Sequence, residues 1–267
     1  MSNWKTINLY EEDVMKTVKS IYETSKLLRN NNIDFFYTWL FEGNKYVVKF
    51  RIKDNKLQAI KTVLENYLPG IIINRDYHPE EKRYGGKQNL NIIEEVFCMS
   101  SYITSYYLGS KTVEERILLA IELNDILFQQ LQIQKTDLKK IYLYLNETWL
   151  NYSTEVLNIK VKNIEYISNS LMQKLSRHTL TNIPYINEYY SLIFKLNNLN
   201  YKNFEQENPE YSVNLAKLTT ELELNKPFFN TIISLAHMNF NRLGLFPHIE
   251  SIIYKILSNA SHIMIGD

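Results

Sequence analysis

Phe35-Phe36-Tyr37-Thr38-Trp39-Leu40 and Tyr46-Val47-Val48-Lys49-Phe50-Arg51-Ile52 flank Glu42-Gly43-Asn44, and these two runs decide the fold class. Both are aromatic or β-branched, and turn formers lie between them, which is the pattern of a β-hairpin. Side chains alternate across a strand, so Lys49 and Arg51 share one face while Val48, Phe50 and Ile52 share the other. Two cations on one strand face serve either as solvated edge protection or as an anion pocket. Upstream, Trp4 to Tyr10 (WKTINLY) reads as a further strand. Glu11 to about Leu28 places Val14, Val18, Ile21 and Leu27-Leu28 at helical spacing. Downstream, Asp54 can N-cap a helix carrying Leu57, Ile60, Val63, Leu64 and Leu68, with Gly70 as its end. Ile71-Ile72-Ile73 is a short strand candidate.

Beyond residue 88 the periodicity is almost entirely helical. Helices are expected over about 89–108, 112–133, 136–150, 161–177, 185–197, 209–224, 228–240 and 247–260. Gly109, Pro184, Pro227 and Pro247 mark their breaks. Asn197 to Pro209 is polar and reads as a mobile loop. The class is α+β, a small antiparallel sheet in the N-terminal part and a helix-rich C-terminal part. No linker composition separates the two, so residues 1–267 are expected to form one domain.

Composition narrows the function. The 267 residues are 45% apolar and 22% charged, enough for an ordinary core. A formal net charge of +1 provides no electrostatic footprint for nucleic acid. The single cysteine, Cys98, rules out an internal disulfide and a multi-cysteine zinc site. The opening MSNWKTINLY lacks the basic and apolar regions of a signal peptide, and no window approaches eighteen apolar residues. A cytoplasmic protein without a membrane span is expected. Nucleotide loops, HExxH and GxSxG are missing, and the histidines (His78, His178, His237, His248, His262) have no acidic neighbours at ligand spacing. No metal and no cofactor is expected.

Two segments stand apart from this background. Tyr77-His78-Pro79-Glu80-Glu81-Lys82-Arg83-Tyr84-Gly85-Gly86 holds two of the seven glycines and one of the six prolines. Pro79 bends the backbone and Gly85-Gly86 release it, with Arg83 just before the release. The plain alternative is a strand-to-helix loop with surface charges. His237-Met238-Asn239-Phe240-Asn241-Arg242-Leu243-Gly244 follows an apolar helical run. There His237 and Asn241 share a helix face, and Gly244 can end the helix. The plain alternative here is a core-flanking histidine and a cation suited to a helix C-terminus.

Together these residues resemble the thiopeptide-type bacteriocin biosynthesis family, which is similar to the C-terminal glutamate-elimination domain of lanthipeptide dehydratases. The family motif Tyr-x-Pro-Glu-x-x-Arg-Tyr-Gly-Gly is matched by Tyr77, Pro79, Glu80, Arg83, Tyr84, Gly85 and Gly86. His-Met-x-x-Asn-Arg is matched by His237, Met238, Asn241 and Arg242. Glu94, Phe97 and Ser101 also match, while Ser100 stands where the family has an acid and Lys49 where it often has arginine. The resemblance implies a stand-alone lyase of lanthipeptide or thiopeptide maturation. Its substrate would be a ribosomal precursor peptide whose Ser or Thr carries a glutamyl ester, installed by a separate glutamylating dehydratase subunit. The products would be dehydroalanine or dehydrobutyrine and glutamate. On that reading Arg83, His237 and Arg51 are catalytic, and Lys49, Glu80, Tyr84, Asn241 and Arg242 bind substrate. The edges of the N-terminal strands would accept the leader as an added strand. Two alternatives stay open: a pyridine synthase that joins two dehydroalanines by formal [4+2] cycloaddition and releases the leader, and a non-catalytic module that binds the precursor or docks on a partner.

Overall fold

The computed structural model describes residues 4–42, 45–53, 62, 64, 72–158, 164–175, 180, 182–199 and 215–260. Four antiparallel strands, β1 (Trp4–Glu11), β2 (Phe35–Glu42), β3 (Lys45–Lys53) and β4 (Ile72–Asp76), pair in the order β2-β3-β1-β4. The β2–β3 register runs from Phe35 opposite Ile52 to Glu42 opposite Lys45, as a hairpin requires. The turn residues Gly43 and Asn44 lie outside the described residues. So do most of the helix expected after Asp54, the segment 200–209, and His178 and His262.

The alternation read from the sequence sorts the sheet into two faces. Ile7, Leu9, Phe35, Tyr37, Trp39, Val48, Phe50 and Ile52 are buried and pack on Ile21 and Leu28 of helix α1 (Val14–Asn30). The opposite face carries Lys49 and Arg51, paired with Thr38 and Phe36 on one side and with Asn8 and Thr6 on the other. Helix α1 starts later than the apolar spacing indicates, because the Asp13 side chain accepts from the Lys16 amide and so caps it. Its buried stripe is Thr17, Ile21, Thr24, Ser25 and Leu28, three of the five small and polar.

Eight further helices are described: α2 (Leu90–Ser110), α3 (Val113–Gln129), α4 (Lys135–Asn151), α5 (Ile164–Leu175), α6 (Ile186–Lys195), α7 (Leu215–Glu221), α8 (Lys226–Arg242) and α9 (Pro247–Ala260). Thr112 and Glu115 start α3 with a reciprocal capping box. Gly109 is not the break expected of it. The helix runs through it to Ser110, and a Cβ there would collide with the Tyr22 ring. The glycine is needed for close approach of α1 to α2. Gly244 does end α8, at φ +67°, with Trp39 packed over it. Among the described residues no helix is long and apolar enough to cross a membrane.

The docking of α8 on the sheet positions everything that follows. β2 is an edge strand, and its outward amides and carbonyls are taken by helix side chains. The Tyr37 amide donates to Ser101 Oγ at 3.2 Å, and its carbonyl accepts from Arg242 Nε at 3.1 Å. The Trp39 amide donates to Asn241 Oδ1 at 2.8 Å, and its carbonyl accepts from Asn241 Nδ2 at 2.9 Å. This edge of the sheet is therefore already occupied at Tyr37 and Trp39, and β4 forms the other edge.

Candidate functional site

Three arginines from three elements surround one cluster of aromatic rings. Phe97 of α2 is its hub, with Phe36 at 5.4 Å and Tyr84 at 5.2 Å between ring centroids, and Tyr77 lies 5.5 Å from Phe36. The Arg242 guanidinium lies 4.9 Å over Phe97, that of Arg51 lies 5.8 Å over Phe36 and 5.9 Å over Tyr77, and that of Arg83 lies 5.8 Å over Tyr84. Rings of this kind accept a cation on their faces while keeping water away.

Each cation is held differently. Arg83 sits in a short 3-10 turn, Glu81–Tyr84, ended by Gly85 at φ +78°, a conformation that favours glycine. Its Nη1 pairs with Glu80 Oε2 at 2.9 Å, and its Nε donates to Ser234 Oγ of α8 at 3.2 Å. Arg51 Nη1 donates to Thr38 Oγ1 at 2.7 Å and to the Lys49 carbonyl at 2.8 Å. Burial pushes the Arg51 pKa down to about 10; Arg242 adds to the effect, and Tyr77 and Glu80 oppose it. Arg242 is 1% exposed, and burial lowers its pKa too. Arg51 Nε and Arg242 Nη2 are buried donors with no hydrogen-bond partner among the described residues. Unpaired buried donors on cations are costly, and an anion placed there would relieve the cost.

His237 lies one turn along α8 from Ser234, about 4.5 Å by helical rise and close to the same face. Its Nδ1 is 2.7 Å from Glu250 Oε2 on α9, and its ring stacks on Trp149 of α4 at 4.1 Å. The Glu250 side chain is fully buried and that of His237 is 14% exposed. Burial pushes the Glu250 pKa up, while the charge and hydrogen bond of His237 pull it back. With Nδ1 held, Nε2 is the nitrogen left for proton transfer.

The model of the lantibiotic biosynthesis dehydratase C-terminal family matches residues 10–261. The chain belongs to this family. Among solved structures, it resembles the tRNA-dependent lantibiotic dehydratase MibB from Microbispora sp. 107891 (14% identity, TM-score 0.57) over 97% of its own length and 28% of that protein's. The chain thus spans less than a third of MibB. It also resembles TsrL (12% identity, TM-score 0.54) over 98% of its own length and 96% of TsrL. Against curated protein sequences there is no match.

In this dehydratase C-terminal domain, the residues singled out from the sequence fall into two groups. Arg83, Glu80, Arg51 and Tyr84 meet around the ring cluster, and His237 follows along α8. Lys49 lies on the same strand face as Arg51, and its carbonyl helps to hold that guanidinium. Asn241 has both ends of its amide on the Trp39 backbone, and Arg242 bridges the Tyr37 carbonyl to Ser100 Oγ at 3.3 Å. These two fasten α8 to the sheet. Ser100, the departure from the family pattern, donates to Asn239 Oδ1 at 2.7 Å, so a neutral network stands beside Arg242. Sequence reading missed Ser234, Glu250 and Trp149. Glu250 is 13 residues from His237 on another helix, and only a helical hairpin joins them.

Proposed function

We propose that this domain eliminates glutamate from glutamylated Ser or Thr of a ribosomal precursor peptide. One observation carries the reading: Arg51, Arg83 and Arg242 gather on one ring cluster, two of them with buried donors that have no partner among the described residues, beside a helix that presents a histidine held by a carboxylate. Elimination needs those two things. His237 Nε2 takes the Cα proton, and the electrons of that bond form the Cα–Cβ double bond. The Cβ–O bond breaks, and its electron pair leaves on the glutamate carboxylate. Arg83 and Arg51 stabilise the charge that develops on the peptide carbonyl and on the departing carboxylate, in surroundings where water competes poorly. Glu80 holds Arg83 and Glu250 holds His237. Asn241 and Arg242 keep α8 against the sheet, with Arg242 Nη2 adding positive potential. A separate subunit supplies the glutamyl ester.

The test is glutamate release from a chemically glutamylated precursor, followed by mass spectrometry. Arg83→Ala and His237→Ala should each lower the rate by at least about two orders of magnitude, roughly 3 kcal/mol of barrier. Near-normal rates in either variant remove the assignment. A macrocycle with released leader would favour cycloaddition instead, and precursor binding without turnover would favour a docking module.

A further inference from the structure

A cavity of about 940 Å³ opens on the other side of the ring cluster, between α2, α6 and the ends of β1 and β3. Trp4 forms part of its wall, and behind Trp4 lies Phe36, with ring centroids 4.9 Å apart, followed by the Arg51 guanidinium. The charge on the two sides is opposite. Among the described residues four carboxylates, those of Asp34, Glu94, Glu95 and Glu188, line the cavity, against one cation, Lys53. Lys53 is already paired with Asp34 at 2.9 Å and lies 5.4 Å from the Trp4 ring.

Glu94 is the informative member. It is 6% exposed and lines the cavity, and its Oε2 accepts from Trp4 Nε1 at 2.7 Å. Its Oε1 is buried and has no hydrogen-bond partner among the described residues. Burial pushes its pKa up, with the Trp4 hydrogen bond and Lys53 opposing. A buried carboxylate oxygen without a donor is costly, and a donor entering the cavity would satisfy it. Met99 and Leu192 supply apolar wall for an alkyl stem.

We infer that this cavity binds the basic side chain, arginine or lysine, of a peptide, at a subsite separated from the Arg83–His237 site by the Trp4–Phe36 pair. The choice of a peptide as ligand rests on the proposed function; the choice of a cation rests on the cavity alone. A peptide anchored there by a basic residue carries a neighbouring segment round the rings toward the arginines.

The experiment measures binding without turnover. The protein is titrated by calorimetry with a short acetylated peptide amide bearing one central arginine, with its citrulline twin, and with acetyl-arginine amide. The citrulline twin should bind at least about tenfold more weakly, and added salt should weaken the arginine peptide. Acetyl-arginine amide should bind more weakly than the peptide. Glu94→Gln keeps an acceptor for Trp4 and removes the charge; Glu188→Lys reverses an exposed charge. Each should cost at least about tenfold in affinity for the arginine peptide. Equal binding of the arginine and citrulline peptides overturns the inference, as does unchanged affinity in Glu188→Lys, which decides alone if Glu94→Gln fails to fold. Equal affinity for acetyl-arginine amide and the peptide would make this a small-cation site and overturn the peptide assignment. Glutamate release measured on the same preparation reports separately on elimination.

Discussion

Glu250 shows how much a single residue can decide. A carboxylate inside a protein is expensive unless a partner favours its charge, and here His237 is that partner. The contact also fixes the imidazole, since Nδ1 is engaged and the ring is stacked on Trp149. In the proposed elimination Glu250 acts through His237, as a positioning residue. Glu250→Gln removes the buried charge and keeps an acceptor for Nδ1–H, so the variant should fold. Its kcat for elimination should fall by about one to two orders of magnitude with KM little changed. Glu250→Ala should fall further, with the glutamine variant recovering part of the loss. A change confined to KM would show that Glu250 does not act through the histidine. None of this was legible along the chain, because a glutamate near the start of an amphipathic helix looks like an ordinary favourable N-terminal acid.

At the scale of elements, the decisive contact is α8 against the edge of β2. The hairpin, α1 and most helices were legible from alternation and 3.6-residue spacing, because each buries one face. Gly109 was misread as a break because a glycine inside a helix and one beyond its end look alike in sequence. The Asn241 contact was also illegible, since a side-chain amide imitating a neighbouring strand leaves no local signal. It makes a prediction of its own. Asn241→Leu leaves the Trp39 amide and carbonyl without their partners, at about 1–3 kcal/mol for each buried group. Unfolding free energy should fall by about 2–4 kcal/mol, and the Trp39 amide should lose protection in hydrogen exchange. An unchanged midpoint with a protected Trp39 amide would dismiss the strand-edge role.

Across the whole molecule, the candidate site exists only where the sheet, the Glu81–Tyr84 turn and α8 come together. An anion bound there ties these elements to one another, so it should stabilise the folded state by mass action. Glutamate, the expected product, should raise Tm; at one hundred times its dissociation constant the gain is about 2.7 kcal/mol, roughly 5–10 °C for a chain of this size. Arg51→Ala should abolish the rise. An equal rise with chloride at matched ionic strength would make it a salt effect. By itself the sequence determined the α+β class, the strand faces, most helix spans and the two motifs around Arg83 and His237. Those follow from local periodicity, turn formers and residue chemistry, which any stretch of chain displays. Only the tertiary structure decided that Phe97 gathers three guanidinium groups, that Glu250 holds His237, that Asn241 and Arg242 fasten the helix, and that an acidic cavity lies behind Trp4. Each of these depends on distances between residues far apart in the chain, set by how layers pack, and no local pattern encodes them.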